Sequence, residues 1–380
     1  MFYRKQQFVG MGQESCFLWG ARQTGKSTLL RSFFPTAPYY DLLLSDEFER
    51  LSRRPSLLRE ELIASPPKHP VIVDEVQKIP LLLDEIQWLM VHHQVQFILS
   101  GSSARKLKRG GGNLLGGRAL RYELLPLVYP EIKDFDLLRA LNHGLLPRHY
   151  LAEDPRPLIR AYVGDYLKEE IAAEAIVRNM PAFSRFLEVA ALSNGETVQY
   201  QNIARECGVS APTVKEYFQV LEDTLLAGFV PAYKQRPKRR VIESPKFYFF
   251  DVGLVNFLLQ RGMIPAGGEL FGRAFEHFVY QEIAAHRSYS QLHYPLAYWR
   301  TASQFEVDFI LGLHEIAVEV KGVKEVQVHH LKGLEAFREE YNPRLSIVVS
   351  LDDRPRVYKD ILILPWKVFL ERLWSGELIH

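Results

Sequence analysis

The chain has 380 residues, of which 47% are hydrophobic and 24% are charged, and its formal net charge at pH 7 is +2. This is the mix of an ordinary soluble globular protein, and the length favours two or three domains over a single core. The overall charge neither indicates nor excludes a nucleic-acid partner, so local clusters of charge have to decide that question.

The number of cysteines and the length of the apolar runs exclude further classes of protein. The sequence has two cysteines, Cys16 and Cys207, which argues against a disulfide framework or a cysteine-based zinc site. No uninterrupted apolar stretch reaches the roughly 18 residues of a membrane-spanning helix, and residues 1–12 contain no signal-peptide core. We therefore expect a cytoplasmic protein with no membrane partner.

The first predicted element is a short buried strand over residues 15–19, followed by a glycine-rich loop and a helix over residues 28–33. The loop fills all four fixed positions of the P-loop pattern, in the strand–loop–helix context that the pattern requires. Backbone N–H groups of such a loop surround the phosphates, the Lys26 ammonium binds them, and the Ser27 hydroxyl ligates Mg²⁺. The predicted ATP-binding residues are Gly20, Ala21, Arg22, Gln23, Thr24, Gly25, Lys26, Ser27 and Thr28.

Acidic residues end a later strand of the same predicted sheet. After a second strand near residues 39–43, residues 71–73 form a third strand that ends in Asp74 and Glu75. Ligands bind at the carboxyl ends of parallel strands. We therefore predict that Asp74 holds Mg²⁺ through water and that Glu75 polarises the attacking water.

A serine cluster follows the fourth predicted strand, residues 96–100. We predict that Ser102 contacts the γ-phosphate or the attacking water, and the alternative is that it caps the next helix. A basic, glycine-rich stretch then precedes a fifth strand over residues 119–125. In that stretch Arg109 or Arg118 either acts on the ATP of a neighbouring subunit or is solvated charge.

These features resemble a known class of enzymes. The segments that resemble the AAA+ class of P-loop ATPases are residues 20–27, 71–75 and 97–103. A narrower resemblance is to a prokaryotic family that joins this module to a nuclease-like C-terminal domain of unknown function. The segments that carry it are residues 20–26, 99–103 and 244–254. The resemblance covers nearly the whole chain and implies a helical lid over the nucleotide. Arg160 or Arg185 is then either a second nucleotide sensor or a surface arginine of a helix, and the second interpretation is favoured for each.

The middle of the chain is predicted to be helical. Apolar residues recur at helical spacing over residues 136–195, and residues 199–222 show a helix-turn-helix pattern in which Ser210 caps the second helix. Residues 229–233 and 241–243 are the predicted strands of a wing. Together these elements predict a winged-helix domain.

The connection between the two wing strands carries the densest positive charge in the chain. Its five cations are Lys234, Arg236, Lys238, Arg239 and Arg240. Such a cluster attracts the phosphate backbone, so it predicts salt-dependent DNA binding with weak sequence preference. The alternative, given equal weight, is a winged helix that packs against protein and leaves its basic hairpin in solvent.

The last part of the chain is predicted to contain a helix near residues 271–279 and a hairpin that turns at Gly312. The two strands of this hairpin are residues 304–310 and residues 316–321. Because strand residues alternate between faces, polar side chains of the two strands can converge on one face of the sheet.

Three of those side chains, Asp308, Glu319 and Lys321, resemble the constellation of the PD-(D/E)XK nuclease fold. The resemblance implies that Asp308 and Glu319 hold Mg²⁺ and that Lys321 positions or activates water, with Glu276 as a further acid. The alternation of charge and valine is also what a half-exposed strand normally shows.

The predicted fold is therefore α/β, with a parallel AAA+-type sheet, a helical lid, a winged helix and a PD-(D/E)XK nuclease-like domain. The corresponding ranges are residues 1–135, 136–195, 196–243 and 244–380. The predicted function is ATP hydrolysis coupled to DNA binding, with Mg²⁺-dependent cleavage as a further activity. The alternative is a nucleotide-dependent switch that regulates a protein partner, with a non-catalytic nuclease-like docking domain. Besides ATP and DNA, the partner expected is either a second copy of the chain in a homo-oligomer or another protein.

Overall fold

The chain folds into two units, and each is built around its own sheet. The N-terminal unit comprises Gln6–Pro126 and Asp223–Leu226, and the C-terminal unit comprises Met1–Lys5, Leu127–Glu222 and Ala227–His380. The structure is a computed structural model that describes residues 2–11, 13–103, 105, 107, 115–167, 179–235 and 241–380.

Five short strands form the sheet of the N-terminal unit. They are β1 (Cys16–Trp19), β2 (Tyr39–Asp41), β3 (Val71–Asp74), β4 (Phe97–Gly101) and β5 (Leu120–Glu123). Their order is β2-β3-β4-β1-β5, and every neighbouring pair is parallel. The strands β1, β3 and β4 are buried along their whole length, and each begins with at least three consecutive apolar residues, as is typical of parallel strands covered on both faces. The predicted parallel sheet is confirmed.

Helices pack on both faces of this sheet. They are α1 (Lys26–Phe33), α2 (Ser45–Arg53), α3 (Ser56–Ala64) and α4 (Leu82–His93). Leu29 and Leu30 of α1 share a core with Leu18 of β1, whereas apolar residues of α2, α3 and α4 share a core with its neighbour Phe17. The alternation of strand side chains thus supplies both faces, and the carboxyl ends of β1, β3 and β4 meet at one edge.

The C-terminal unit begins with a helical region. Its helices are α5 (Leu137–His143), α6 (Pro147–Leu151), α7 (Arg156–Ala161), which continues into a π-helical turn (Tyr162–Leu167), α8 (Met180–Leu192), α9 (Tyr200–Cys207) and α10 (Ala211–Asp223). The predicted helical character is confirmed here except over residues 168–178, which lie outside the described residues.

One predicted wing strand is wrong. The strand β6 (Ala227–Val230) pairs antiparallel with β7 (Lys246–Phe249), not with residues 241–243, of which Val241 makes an isolated bridge to Thr301. All four residues of β7 are buried, whereas residues 241–243 are half-buried or exposed. The more apolar segment therefore becomes the partner of β6.

A mixed sheet of six strands forms the rest of the C-terminal unit. Its strands are β8 (Leu296–Arg300), β9 (Glu306–Leu311), β10 (Ile316–Lys321), β11 (Leu345–Ser350), β12 (Arg356–Tyr358) and β13 (Ile361–Pro365), in the order β12-β13-β11-β10-β9-β8. Its helices are α11 (Val252–Leu258), α12 (Gly268–Tyr289), α13 (Lys332–Tyr341) and α14 (Trp366–Trp374). The predicted hairpin at Gly312 is confirmed, since β9 and β10 pair antiparallel.

The structure divides the chain into two units, whereas the sequence predicts four domains. The boundaries of those four domains stay a prediction. Over the part of the chain that the structure describes, no helix is both long enough and apolar enough to cross a membrane.

Candidate functional site

The glycine-rich loop runs from the end of β1 to the start of α1, and two of its positions require glycine. Gly20 donates its N–H to the Gly101 carbonyl at 3.2 Å, and a Cβ at Gly20 would overlap the Leu124 carbonyl oxygen. Gly25 caps α1 with a φ of 97°, in the left-handed region that favours glycine. The loop therefore ends at the N-terminus of a helix of 8 residues, where backbone N–H groups and the helix dipole favour an anion.

The lysine of the loop lies inside it. Lys26 Nζ donates hydrogen bonds to the carbonyl oxygens of Gly20 at 2.7 Å and Ala21 at 3.1 Å, and the residue is buried. Thr24 Oγ1 also donates to the Ala21 carbonyl, at 2.9 Å. The ammonium therefore lies inside a glycine-rich loop of the kind that surrounds phosphates.

Asp74, at the end of β3, is a buried acceptor for several hydroxyl groups. Its Oδ2 accepts hydrogen bonds from Ser27 Oγ at 2.6 Å and from the Tyr39 hydroxyl at 2.5 Å. Its Oδ1 accepts from Ser100 Oγ and, at 3.1 Å, from the backbone N–H of Glu75. The structure thus brings together Ser27 and Asp74, the two residues that were predicted to hold Mg²⁺.

Glu75 lies in a strained turn beside this group. Its φ is 60°, in the left-handed region that non-glycine residues rarely adopt. Gln77 Nε2 donates hydrogen bonds both to Glu75 Oε2 and, at 3.1 Å, to Ser102 Oγ. Burial raises the pKa of Glu75, and Lys26 and Gln77 oppose that shift. The predicted residues Glu75 and Ser102 are therefore joined through Gln77.

The sequence prediction missed three residues of this site, namely Tyr39, Gln77 and Ser100. Ser100 and Tyr39 lie on strands, and the alternation rule alone does not select them among the other polar residues of the sheet edge. The position of Gln77, two residues after Glu75, was a signal that it lies near the predicted site. The direction of its amide towards Ser102 depends on the left-handed turn at Glu75.

The other predicted loop residues are more open. Arg22 is half-buried, whereas Gln23 and Thr28 are exposed. The arginines considered as finger or second sensor, Arg118, Arg160 and Arg185, are exposed, and Arg109 lies outside the described residues.

A second polar cluster lies on the sheet of the C-terminal unit. Asp308 of β9 and Glu319 of β10 are buried, and Asp308 Oδ2 accepts the Val320 N–H at 2.8 Å. Lys321 Nζ donates a hydrogen bond to Glu319 Oε1. The three residues predicted from the nuclease resemblance therefore lie on adjacent strands.

An unpredicted lysine lies within this cluster. Lys246, the first residue of β7, has a side chain only 2% exposed. Its Nζ is 2.6 Å from Glu306 Oε1 and 3.3 Å from both Glu276 Oε1 and Asp308 Oδ1. Tyr248, two residues further along β7, donates its hydroxyl to Glu276 Oε1 at 2.6 Å. We name Lys246, Glu276, Glu306, Asp308, Glu319 and Lys321 the ion cluster.

Burial and mutual attraction set the charges of the ion cluster. Burial raises the pKa of Glu276 to about 7, against the effect of Lys246, and burial and Asp308 raise the pKa of Glu319 to about 8. Burial alone lowers the pKa of Lys246, but the neighbouring carboxylates, Glu276 first, raise it above its usual value. Lys246 is therefore a charged ammonium.

The ion cluster does not fit the Mg²⁺ that the nuclease resemblance implies. Both oxygens of Asp308 already accept hydrogen bonds, from Lys246 and from the Val320 N–H. Glu319 Oε1 accepts a hydrogen bond from Lys321, whereas its Oε2 is buried without a partner, so the misfit to Mg²⁺ rests on Asp308 and Lys246 and not on Glu319. Among the residues that the structure describes, no group of three or more acidic, histidine or cysteine side chains is arranged to hold a metal ion.

The basic connection is described only in part. Lys234 pairs with Glu243 at 3.1 Å, and both side chains are exposed. The other four predicted DNA-binding residues, Arg236, Lys238, Arg239 and Arg240, lie outside the described residues.

Models of three known domains match the chain. Residues 12–133 match an AAA domain, residues 134–263 match a domain of unknown function (DUF8612), and residues 271–369 match another domain of unknown function (DUF4143). These matches confirm a P-loop ATPase-like AAA module followed by a C-terminal domain of unknown function. The nuclease-like fold, the winged helix and DNA binding stay predictions.

Three similar proteins are described as uncharacterized. Proteins of Mycobacterium bovis and Mycobacterium tuberculosis are each 27% identical over 306 residues, which is 78% of this chain and 67% of theirs. A protein of Haemophilus influenzae is 22% identical over 308 residues, which is 71% of this chain and 74% of its own.

The chain also spans half the length of a solved structure. That structure is a signal-transduction ATPase with numerous domains and a tetratricopeptide repeat sensor, from Pyrococcus horikoshii. The two sequences are 14% identical, the match covers 77% of this chain and 50% of that chain, and the TM-score is 0.24. This likeness is too weak to support a statement about the present chain.

Proposed function

We propose that the N-terminal unit binds ATP with Mg²⁺ and hydrolyses it. The observation that carries the proposal is the convergence of four side chains, Lys26, Ser27, Asp74 and Glu75, around the loop between β1 and α1. A cation inside a glycine-rich loop, a hydroxyl–carboxylate pair and a buried glutamate are the groups that phosphoryl transfer to water needs.

In this proposal the loop binds the phosphates. The Lys26 ammonium exchanges the Gly20 and Ala21 carbonyl oxygens for phosphate oxygens, and the N-terminal N–H groups of α1 donate to the same phosphates. The Ser27 hydroxyl and the Asp74 carboxylate, whose oxygens lie 2.6 Å apart, would hold Mg²⁺, which supplies positive charge against the phosphates.

Glu75 is proposed as the general base. Its carboxylate accepts a proton from the attacking water, and its raised pKa favours that transfer. Gln77 fixes the carboxylate through the hydrogen bond from its Nε2 and is itself attached to Ser102 at the end of β4. Gln77 is therefore a positioning residue in this proposal.

Separate measurements of nucleotide binding and turnover test these roles. We expect Lys26→Ala to lose both, because the ammonium binds the phosphates. We expect Glu75→Gln to bind ATP with unchanged affinity and to lose about 10²- to 10⁴-fold in kcat, the usual contribution of a general base. The matched control is Glu49→Gln, an exposed glutamate of α2 that pairs with Arg53. An equal loss of binding and turnover in Glu75→Gln would contradict its role.

We propose further that the nucleotide state is coupled to duplex DNA binding through the helix-turn-helix segment. The supporting observation is that α9 and α10 are joined at Gly208, with a φ of 67°, and precede the antiparallel pair β6 and β7. The residues that connect β6 to β7 include the basic cluster of Lys234. Cations on such a connection would contact the phosphate backbone.

One experiment distinguishes DNA binding from the alternative, in which the nucleotide state regulates a protein partner. Replacing the five basic residues from Lys234 to Arg240 by glutamine should weaken duplex binding and flatten its salt dependence, by up to about 0.9 in log–log slope for each phosphate that is no longer neutralised. Basal ATP turnover should stay unchanged. The control replaces two exposed lysines outside this segment, Lys332 and Lys359. DNA binding that is unaffected by the first set and present only at low salt would favour the protein-partner switch.

We also keep the nuclease-like architecture as a proposal, with a non-catalytic role in docking. Asp308, Glu319 and Lys321 on adjacent antiparallel strands support the architecture. The ion cluster does not support metal-dependent cleavage, so DNA recovered after incubation with ATP and Mg²⁺ should keep its length. Shortened DNA in the wild type but not in Asp308→Ala would overturn the docking role.

A further inference from the structure

The position of Lys246 suggests a specific role for the C-terminal carboxylates. Three carboxylates approach its Nζ from two elements: Glu276 from α12, and Glu306 and Asp308 from β9. The distance to Glu306, 2.6 Å, is that of a short charge-assisted contact, and the two distances of 3.3 Å are those of longer hydrogen bonds. The carboxylates that could converge on a cation therefore converge on a lysine.

The ammonium cannot leave this position easily. Lys246 is the first residue of β7, whose four residues are all buried, and it pairs with Val230 of β6. Its Nζ also lies 5.7 Å from the centre of the Tyr298 ring, which adds a cation–π contact. A metal ion that entered the site would have to displace a buried charge that the chain itself holds in place.

Charge balance points the same way. The ion cluster has four acidic side chains, two of them with raised pKa values, and two lysines, and Arg300 adds a third cation 3.4 Å from Glu306 Oε2. Buried carboxylates without a counter-charge are costly, so some cation must accompany them. In this unit the chain provides that cation from its own side chains.

We propose that the ammonium group of Lys246 permanently occupies the cation position of the C-terminal carboxylates in place of a divalent metal, and that it fastens β7 to α12 and β9. The domain then holds no catalytic metal, and its acidic residues serve to fix one strand. This proposal concerns the C-terminal unit and does not depend on ATP hydrolysis by the N-terminal unit.

Binding of Mn²⁺ to the nucleotide-free full-length chain tests the proposal, with free Mn²⁺ followed by electron paramagnetic resonance. The wild type and Asp308→Asn should bind the same amount of Mn²⁺, because Asp308 pairs with the Lys246 ammonium and not with a metal ion. Removal of the ammonium in Lys246→Met should create one additional Mn²⁺ site per chain, and Lys246→Met/Asp308→Asn should lose it. Lys359→Met, which removes an exposed lysine paired with Glu335, controls for the change in net charge.

Two results would overturn the proposal. One is a wild type that binds one Mn²⁺ more than Asp308→Asn. The other is a folded Lys246→Met, as judged by circular dichroism, that gains no Mn²⁺ site. If Lys246→Met does not fold, the comparison of the wild type with Asp308→Asn, repeated with Glu319→Gln, still decides whether the native site holds metal.

Discussion

The two units place a buried lysine among oxygen atoms in opposite ways. In the N-terminal unit Lys26 donates to two neutral carbonyl oxygens of its own loop, at 2.7 and 3.1 Å. In the C-terminal unit Lys246 contacts three carboxylates that are up to 62 residues away in sequence. The two carbonyl acceptors of the first lysine are neutral, whereas the three acceptors of the second are carboxyl groups.

The difference shows that residue type and burial alone do not identify a binding site. Both units bring a lysine close to buried acids near the ends of strands, and both sets of residues are typical of phosphate or metal chemistry. The partners of the lysine distinguish them, because a neutral partner can be exchanged for a ligand at small cost, whereas a carboxylate partner cannot.

The most direct way to break this comparison is to remove each ammonium in turn. Lys246→Met leaves three carboxylates without their cation and should lower the free energy of unfolding by about 3–5 kcal/mol. Lys26→Met removes hydrogen bonds to two carbonyl groups and should cost about 1 kcal/mol in the nucleotide-free protein. Urea unfolding followed by circular dichroism measures both, and Lys359→Met should cause no measurable change. Equal losses for the two buried lysines would show that the comparison is wrong.

The sequence was sufficient to predict which residues meet at one edge of the N-terminal sheet, because the signals are local. The loop from Gly20 to Ser27 and the acids Asp74 and Glu75 occupy strand ends, and a strand end in a parallel sheet fixes their common edge. The hairpin that carries Asp308 and Glu319 was also predictable, from alternation around Gly312.

The role of Lys246 was not predictable, because it depends on which strand pairs with β6. The sequence favoured residues 241–243, and the structure pairs β6 with β7 instead, which brings Lys246 to residues 30 to 62 positions away. Such long-range pairings are chosen by the whole core rather than by local pattern. The same holds for Gln77, whose direction depends on the turn at Glu75.

A smaller effect sharpens the description of the N-terminal site. Gln77→Leu removes the amide that joins Glu75 to Ser102, so we expect kcat to fall by about 10- to 100-fold, or about 1.4–2.8 kcal/mol in activation free energy, with KM for ATP unchanged. Because the hydrogen bond from Gln77 lowers the pKa of Glu75, its loss should also move the acid limb of the kcat–pH profile to higher pH.

The control for this variant is Gln87→Leu, a half-buried glutamine of α4. An increase in KM without a change in kcat, and without movement of the acid limb, would mean that Gln77 supports the fold of the nucleotide site and does not position Glu75.

The smallest effect concerns a buried histidine of the C-terminal unit. His286 of α12 lies 5.4 Å from the Trp374 ring, and its Nδ1 is 3.1 Å from the Tyr294 hydroxyl. Burial lowers the pKa of His286 to about 4, below its usual value of 6.5. Below pH 6.5, the usual pKa of histidine, this residue therefore binds a proton in the unfolded chain but not in the folded chain. The free energy of unfolding falls as the pH drops from about 6.5 towards 4.

We expect this histidine to account for about 1 kcal/mol of the stability that the protein loses between pH 7 and pH 5, after allowance for its partial solvent screening. His286→Phe should reduce that loss, because phenylalanine has no proton to bind and fits the aromatic contact with Trp374. Urea unfolding at the two pH values, followed by tryptophan fluorescence, measures the effect. A loss between pH 7 and pH 5 that is identical in the variant would exclude His286 as its source and would leave the other buried histidines of this unit, His143, His149 and His277, to explain it.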